Sequence, residues 1–389
     1  MAKKKQNQKK NETKISQPKG RPMLNWVGKK PLDYIKSFPA QLMEVYNPLK
    51  TSEPLEKPTF DELEKNWQNL LFHGDNKEVL GYLLNNGFRG KVDLIYIDPP
   101  FDSGADYVRK VQLRDRNNKS KMEGKEKYIV EQVKYYDIWN NDNYLQYMYE
   151  RLLLMKELLS DSGSLYLHCD WHRSHHLRFL LDEVFGEQNF MNEIIWRYVK
   201  FQMGEMKRFA NNSDRILIYK KSTENWYFKP LKYKLDKPKK LLLKGWDKES
   251  GTIQNIKDAN GKTQKIEIKE EKVDDVWEIQ FMGATSGERT NYPTQKPIKV
   301  LERVIDASSK PGDLILDCFI GSGTTADVAQ RMGRRWIGCD INRGAIQTTS
   351  KRLQDVISNQ LDELKKKDEK FFKEVSNKHF SFATYKVND

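Results

Sequence analysis

Asp98-Pro99-Pro100-Phe101 stands directly after Asp93–Ile97, a continuous run of β-branched and aromatic residues. Two prolines cannot continue a central strand, so the chain must turn there. Proline also rigidifies the turn and fixes the direction of its carbonyls. An Asp side chain and a proline carbonyl can both accept hydrogen bonds from one NH2 group, and an aromatic ring beside them can stack on a flat base. This suits an amino group whose lone pair is delocalised into a ring. Accepting its protons localises the lone pair as it attacks a methyl sulfonium. The plain alternative is a turn carrying an exposed acid.

A second constellation runs from Leu316 to Thr325, LDCFIGSGTT. An apolar strand enters a Gly-rich turn that opens a helix. Glycine lets the backbone pass close to a ligand without side-chain clash, and the ligand then sits by the strand's C-terminal end near the helix N-terminus. Asp340, about twenty residues on, ends the next strand, RWIGCD,. A carboxylate there can accept both hydroxyls of a ribose. Gly-x-Gly alone signals only a packing turn. With the strand, the helix and the downstream acid it predicts a nucleoside cofactor. A nicotinamide enzyme shares that geometry, and Asp98–Phe101 decides against it.

Together these motifs resemble the DNA amino-methyltransferases, whose signature is D/N/S-P-P-F/Y/W plus F-x-G-x-G. Here these are Asp98–Phe101 and Phe319–Gly323. Their order, with Asp-Pro-Pro-Phe first, resembles the β-class. Tyr292-Pro293-Thr294-Gln295-Lys296-Pro297 is similar to the family's motif preceding the cofactor site. SLYLHCDWH and RWIGCD resemble modification subunits of type III-like systems and their relatives. The resemblance covers roughly residues 65–355.

It implies a class I methyltransferase fold, S-adenosylmethionine as cofactor and DNA as partner. Phe319, Gly321, Ser322, Gly323 and Thr324 would line the cofactor pocket and Asp340 would hold the ribose. Thr294 and Lys296 would help close the methionine end. Asp98 and the Pro99 carbonyl would accept from the amine, in the turn that Pro100 stiffens, and Phe101 would stack on the base. Asp75, after an early strand, is read either as lying near the cofactor's adenine or as a helix N-cap. Asp at the motif's first position favours adenine N6, where Ser would favour cytosine N4. The base must leave the duplex. RNA or protein amino-methyltransferases usually carry the two motifs in the opposite order. A non-catalytic nucleic-acid-binding subunit is opposed by the intact Asp98 and Phe101. A homodimer and a partner restriction subunit are further expectations.

These residues need elements to hold them. Leu70–Phe72, Asp93–Ile97, Ser164–Cys169, Asp313–Cys318 and Arg335–Cys339 read as strands. Glu193–Tyr198 and Arg215–Tyr219 read as a late pair. Lys77–Leu84, Tyr144–Leu159, His172–Phe185, Lys299–Ser308, Gly323–Met332 and Gly344–Val356 read as helices. Alternating strand and helix predicts an α/β, Rossmann-like doubly wound, mostly parallel sheet. The expected division is a basic, disordered arm and extension (1–57), a first catalytic part (58–221), a target-recognition insertion (222–287), a second catalytic part (288–360) and a basic tail (361–389). Residues 114–127 read as a mobile loop, and Asn260-Gly261 as a hairpin turn.

Charge agrees with a polyanionic partner: the net charge is +13,. Residues 1–30 hold ten Lys/Arg and one acid, Glu12, which makes either a solubilising tail or a phosphate-binding arm. The Trp/Lys-rich stretch 226–246 is read as DNA contact, against a merely basic surface. His168, His172, His175 and His176 lack a Cys pair or matching acid, so they predict a polar helix face and no metal. Cys169, Cys318 and Cys339 have no CxxC spacing, no apolar run approaches the ~20 residues that span a membrane, and no signal core precedes the fold. A reduced, cytoplasmic setting is expected.

Overall fold

The computed structural model describes residues 12–18, 23–50, 54–100, 141–199, 207, 209–248, 250–283, 287–290, 292, 294–367 and 380–387. Phe101, Pro293 and the charged stretch 114–127 lie outside them. The first elements are β1 (Glu12–Lys14), β2 (Tyr34–Lys36) and β3 (Ala40–Tyr46), then α1 (Phe60–Lys65), β4 (Asn69–His73), α2 (Asn76–Asn85) and β5 (Val92–Ile97). Next come α3 (Asn141–Leu158), β6 (Leu159–Cys169), α4 (Ser174–Phe185), β7 (Phe190–Arg197) and β8 (Ser213–Lys220). A ribbon of β9 (Lys232–Leu242), β10 (Lys244–Asp247), β11 (Thr252–Asn255) and β12 (Lys265–Lys272) precedes β13 (Val276–Glu278). The chain continues through α5 (Ile298–Ser308), β14 (Leu314–Asp317), α6 (Thr324–Arg331), β15 (Arg335–Asp340), α7 (Arg343–Lys367) and β16 (Phe382–Val387).

Among the described residues, ten strands form one sheet in the order β13-β7-β8-β6-β5-β14-β15-β4-β16-β3. Its centre, from β6 across to β16, is wholly parallel. β5 and β14 have fully apolar cores because both of their faces are covered. Ile95 and Ile97 pack with Leu80, Leu152 and Leu181 of α2, α3 and α4. Leu94 and Tyr96 pack with Leu301, Val328 and Leu353 of α5, α6 and α7. Each such leucine contributes about 1.5–3 kcal/mol of burial. The expected doubly wound sheet is therefore the observed one.

Register does the positioning. Leu316 pairs with Ile95, Asp317 with Gly338, and Ile97 with Leu167. The residues just past these pairs are Asp98, Phe319, Asp340 and His168, so all four fall along one rim of the sheet. That rim is the carboxyl edge of the parallel strands, where ligands of such sheets bind.

Three expected boundaries need correction. The stretch 1–57 is more than an arm: β3 is an edge strand of the central sheet, antiparallel to β16. The tail 361–389 is also structural: α7 runs on to Lys367, and β16 lies between β4 and β3. Both are short strands whose partners are remote in sequence, so local periodicity carries no trace of the pairing. In the insertion 222–287, Val276–Glu278 belongs to the central sheet, parallel to β7. The ribbon before it is almost wholly exposed. The hairpin turn expected at Asn260-Gly261 is present, with the Gly261 amide donating to the Asp258 carbonyl at 2.9 Å.

Candidate functional site

Asp98 leaves β5 into a set of charged groups from three other segments. Lys296 Nζ donates to its Oδ2. His168 Nδ1 lies 2.8 Å from its Oδ1. At that distance the two groups form a close ion pair when the ring is protonated. On the far side of the ring, Nε2 is 3.2 Å from Oδ2 of Asp214, and Tyr198 Oη donates to Asp214 Oδ1 at 2.8 Å. The His168 side chain has no exposure, and those of Asp98, Lys296 and Asp214 are 18%, 11% and 11% exposed. Burial alone would push the Asp98 carboxyl up, but the Lys296 and His168 charges outweigh it and hold it at about 2,. Asp98 is therefore an acceptor only.

Beside it, β14 runs into the Gly-rich turn. Gly321 and Gly323 have φ of +50° and +78°, a region that side chains avoid. A Cβ on Gly321 would fill the space toward the Tyr292 ring, 3.4 Å away. The turn is pinned from below: Thr325 Oγ1 and the Phe319 amide donate to Asp317, at 2.5 and 2.9 Å. Asp340 accepts from the amides of Gly321 at 3.0 Å and Asn342 at 2.8 Å. Burial raises the carboxyls of Asp317 to about 7 and Asp340 to about 6. The backbone amides that Asp340 accepts from limit its rise, and the residue is only half-buried, which leaves lone pairs for a ligand's hydroxyls. The Phe319 and Tyr147 rings make an aromatic corner, with centroids 6.4 Å apart. A glycine cradle, a partly open carboxylate and an aromatic corner fit a nucleoside cofactor.

Other predicted residues behave less simply. Ser322 and Thr324 are buried. Their hydroxyls lie 3.2 Å apart, and Arg352 donates to the Ser322 carbonyl and to Thr324 Oγ1. They shape the turn from inside. Thr294 is exposed. Lys296 meets the Asp98 carboxylate. Asp75 caps α2 by accepting from the Lys77 amide at 2.7 Å, and Arg151 grips both its oxygens at 2.9 and 3.0 Å. Of its two readings, the N-cap is the one whose contacts are in place. The strand β5 ends at Ile97, and Pro99 and Pro100 lie beyond it.

His168 departs from the expected polar helix face, because it belongs to β6 and is sealed inside the sheet. Its sequence signal was a single histidine interrupting an apolar strand. Asp214 and Tyr198 had no such signal. Gln295, within the motif that precedes the cofactor turn, organises the Lys296 loop by accepting from the Thr290 amide at 2.8 Å and donating to the Glu288 carbonyl at 2.6 Å.

An acceptor carboxylate and a nucleoside cradle on adjacent parallel strands of a doubly wound sheet define an α/β methyltransferase. The DNA methylase family model, N6_N4_Mtase, matches residues 92–351. The chain belongs to this family of DNA amino-methyltransferases. It is 30% identical to the type II methyltransferase M.EcaI of Enterobacter cloacae, over 73% of this chain and 69% of that one. Identity to the type III StyLTI Mod subunit of Salmonella typhimurium is 24%, over 73% of this chain but only 54% of the relative. The chain thus spans about half the length of that subunit. Among solved structures, the M1.HpyAVI–SAM complex aligns with a TM-score of 0.43 at 20% identity, over 73% of this chain and 98% of the other.

Proposed function

We propose that this protein transfers a methyl group from S-adenosylmethionine to the N6 amino group of adenine in DNA. The observation that carries this reading is Asp98, kept ionised at the end of β5 by Lys296 and His168 and placed beside the Gly-rich turn. When bound, S-adenosylmethionine supplies an electrophilic methyl on sulfur. Asp340 accepts the ribose hydroxyls, and the turn at Gly321 and Gly323 lets the backbone approach the cofactor. Asp98 and the Pro99 carbonyl accept from the target NH2, and Phe101 stacks on the base. With its carboxyl at about 2, Asp98 steadies the charge growing on nitrogen as an anion. It is too weak a base to remove the proton beforehand.

The base leaves the duplex at a cost of a few kcal/mol. The exposed ribbon β9–β12, rich in lysine, suits a phosphate backbone and serves as the recognition insertion. Adenine is favoured by Asp at the motif's first position. It is also what the DNA adenine methyltransferase YhdJ of Escherichia coli acts on, a relative 25% identical over 69% of this chain and 77% of its own. Pairing with a restriction subunit follows the Mod-subunit relatives. No described helix is long and apolar enough to cross a membrane.

The test is mass spectrometry of nucleosides from a methylation-deficient host expressing the protein, with Asp98→Ala alongside. N6-methyladenine is expected with the native chain only. The variant should lose on the order of 10²–10³-fold or more in rate while still binding S-adenosylmethionine. N4-methylcytosine would overturn the base assignment, and full activity of Asp98→Ala would overturn the mechanism.

A further inference from the structure

Asp98 has two oxygens, and the structure treats them differently. Oδ2 faces Lys296, whose flexible stem rises from a loop and whose side chain is 11% exposed. Oδ1 faces His168, which is fully buried on a central strand and cannot swing away. Behind His168 stands a second carboxylate, Asp214, itself anchored by Tyr198.

A neutral imidazole carries one N–H. With carboxylates at 2.8 and 3.2 Å from its two nitrogens, a neutral ring would turn a lone pair toward one anion. Charge gives the same answer: two carboxylates and one ammonium leave a buried deficit that an imidazolium closes. Among the described residues, the groups facing the ring include Asp98 from the end of β5, Asp214 from β8, Lys296 from its loop, and the Trp196 ring of β7 at 5.5 Å. Tyr198 reaches it through Asp214. Burial works against the charged form, but the carboxylates prevail and raise the ring's pKa above its ordinary value.

We propose that His168, braced by Asp214 and Tyr198, is a positioning residue that holds Oδ1 of Asp98 as a buried imidazolium. The carboxylate then presents Oδ2 as the oxygen on which Lys296 and the target amine exchange. The inference rests on the methyl-transfer reading and adds a division of labour. The fixed cation sets the carboxylate plane, while the mobile one occupies the amine's place until substrate arrives.

Two measurements test it. In nitrogen-15 histidine spectra of the intact protein, His168 is identified among the six histidines by its loss in His168→Gln. Both its ring nitrogens should carry protons at pH 8, and Asp214→Asn should remove one. In kinetics, His168→Gln and Asp214→Asn should lower kcat on the order of 10- to 100-fold, since a small misplacement of a reacting group costs that much. The KM for S-adenosylmethionine should stay within about twofold, as expected when only the acceptor is misplaced. A neutral His168 at pH 8, or variants with native kcat, would overturn the proposal. Should the native chain transfer no methyl group to DNA, the function reading falls. The spectra then decide the imidazolium on their own.

Discussion

Cofactor affinity should depend on pH through Asp340. Its carboxyl titrates at about 6 in the ligand-free protein because burial disfavours the anion. Ribose hydroxyls are donors, and they bind the carboxylate better than the protonated acid. Binding therefore favours the charged form and releases a proton below the midpoint. With a midpoint of 6, nearly all of Asp340 is ionised at pH 7.5 and roughly a tenth at pH 5,. Affinity should fall about tenfold between those values, about 1.4 kcal/mol. Isothermal titration calorimetry with S-adenosylmethionine, in buffers of different ionisation enthalpy, reads both the affinity and the proton released. Asp340→Asn should bind weakly at every pH with a flat profile. Asp317→Asn should keep the slope, because Asp317 spends its oxygens on Thr325 and Phe319 inside the turn. A native profile flat from pH 5 to 7.5, or one unchanged in Asp340→Asn, would refute the assignment of the ribose to this carboxylate.

Asp317 should also set how stability varies with pH. Its folded-state value of about 7 lies above the ordinary 3.8, so the native state holds an extra proton between those limits. The stability it lends is full below about 4 and lost as pH rises through 7, by up to about 4 kcal/mol. Urea unfolding should thus find the ligand-free protein more stable at pH 5 than at pH 8, and Asp317→Asn should flatten the difference. Equal stabilities in the native chain would contradict this. Gly323→Ala should cost about 1–3 kcal/mol. It forces a side chain to φ +78° and sets a Cβ 2.8 Å from Thr349, and a native-like urea midpoint would count against it.

The centre of the fold is plain in the sequence because its strands are covered on both faces. Leu94–Ile97 and Leu314–Leu316 could be apolar without interruption only there,. Asp98 and the glycine turn follow those strands immediately, so the two halves of the site were visible with them. Their wiring was not. Lys296 reaches Asp98 across 198 positions, and His168 meets Asp214 only because β6 and β8 run antiparallel. Neither pairing leaves a local pattern. Ser322 and Thr324 look like ligand contacts in a motif, and in space Arg352 donates to the Ser322 carbonyl and to the Thr324 hydroxyl. The edges were misjudged for a related reason. The short β3 carries Glu44 and mixed exposure, which looks like a linker until β16 is beside it.

The position of β16 has a consequence for synthesis. β3 is made early, yet its neighbour in the sheet arrives more than 330 residues later. At roughly 5–20 residues per second the ribosome needs on the order of 20–60 s to cover that distance. Throughout that interval the open side of β4 and the inner side of β3 carry unpaired backbone groups, the kind of edge that recruits stray strands. A nascent chain stalled before Phe382 would keep both edges open however well its centre had folded. Pairing of Phe382–Val387 between them closes both edges at once.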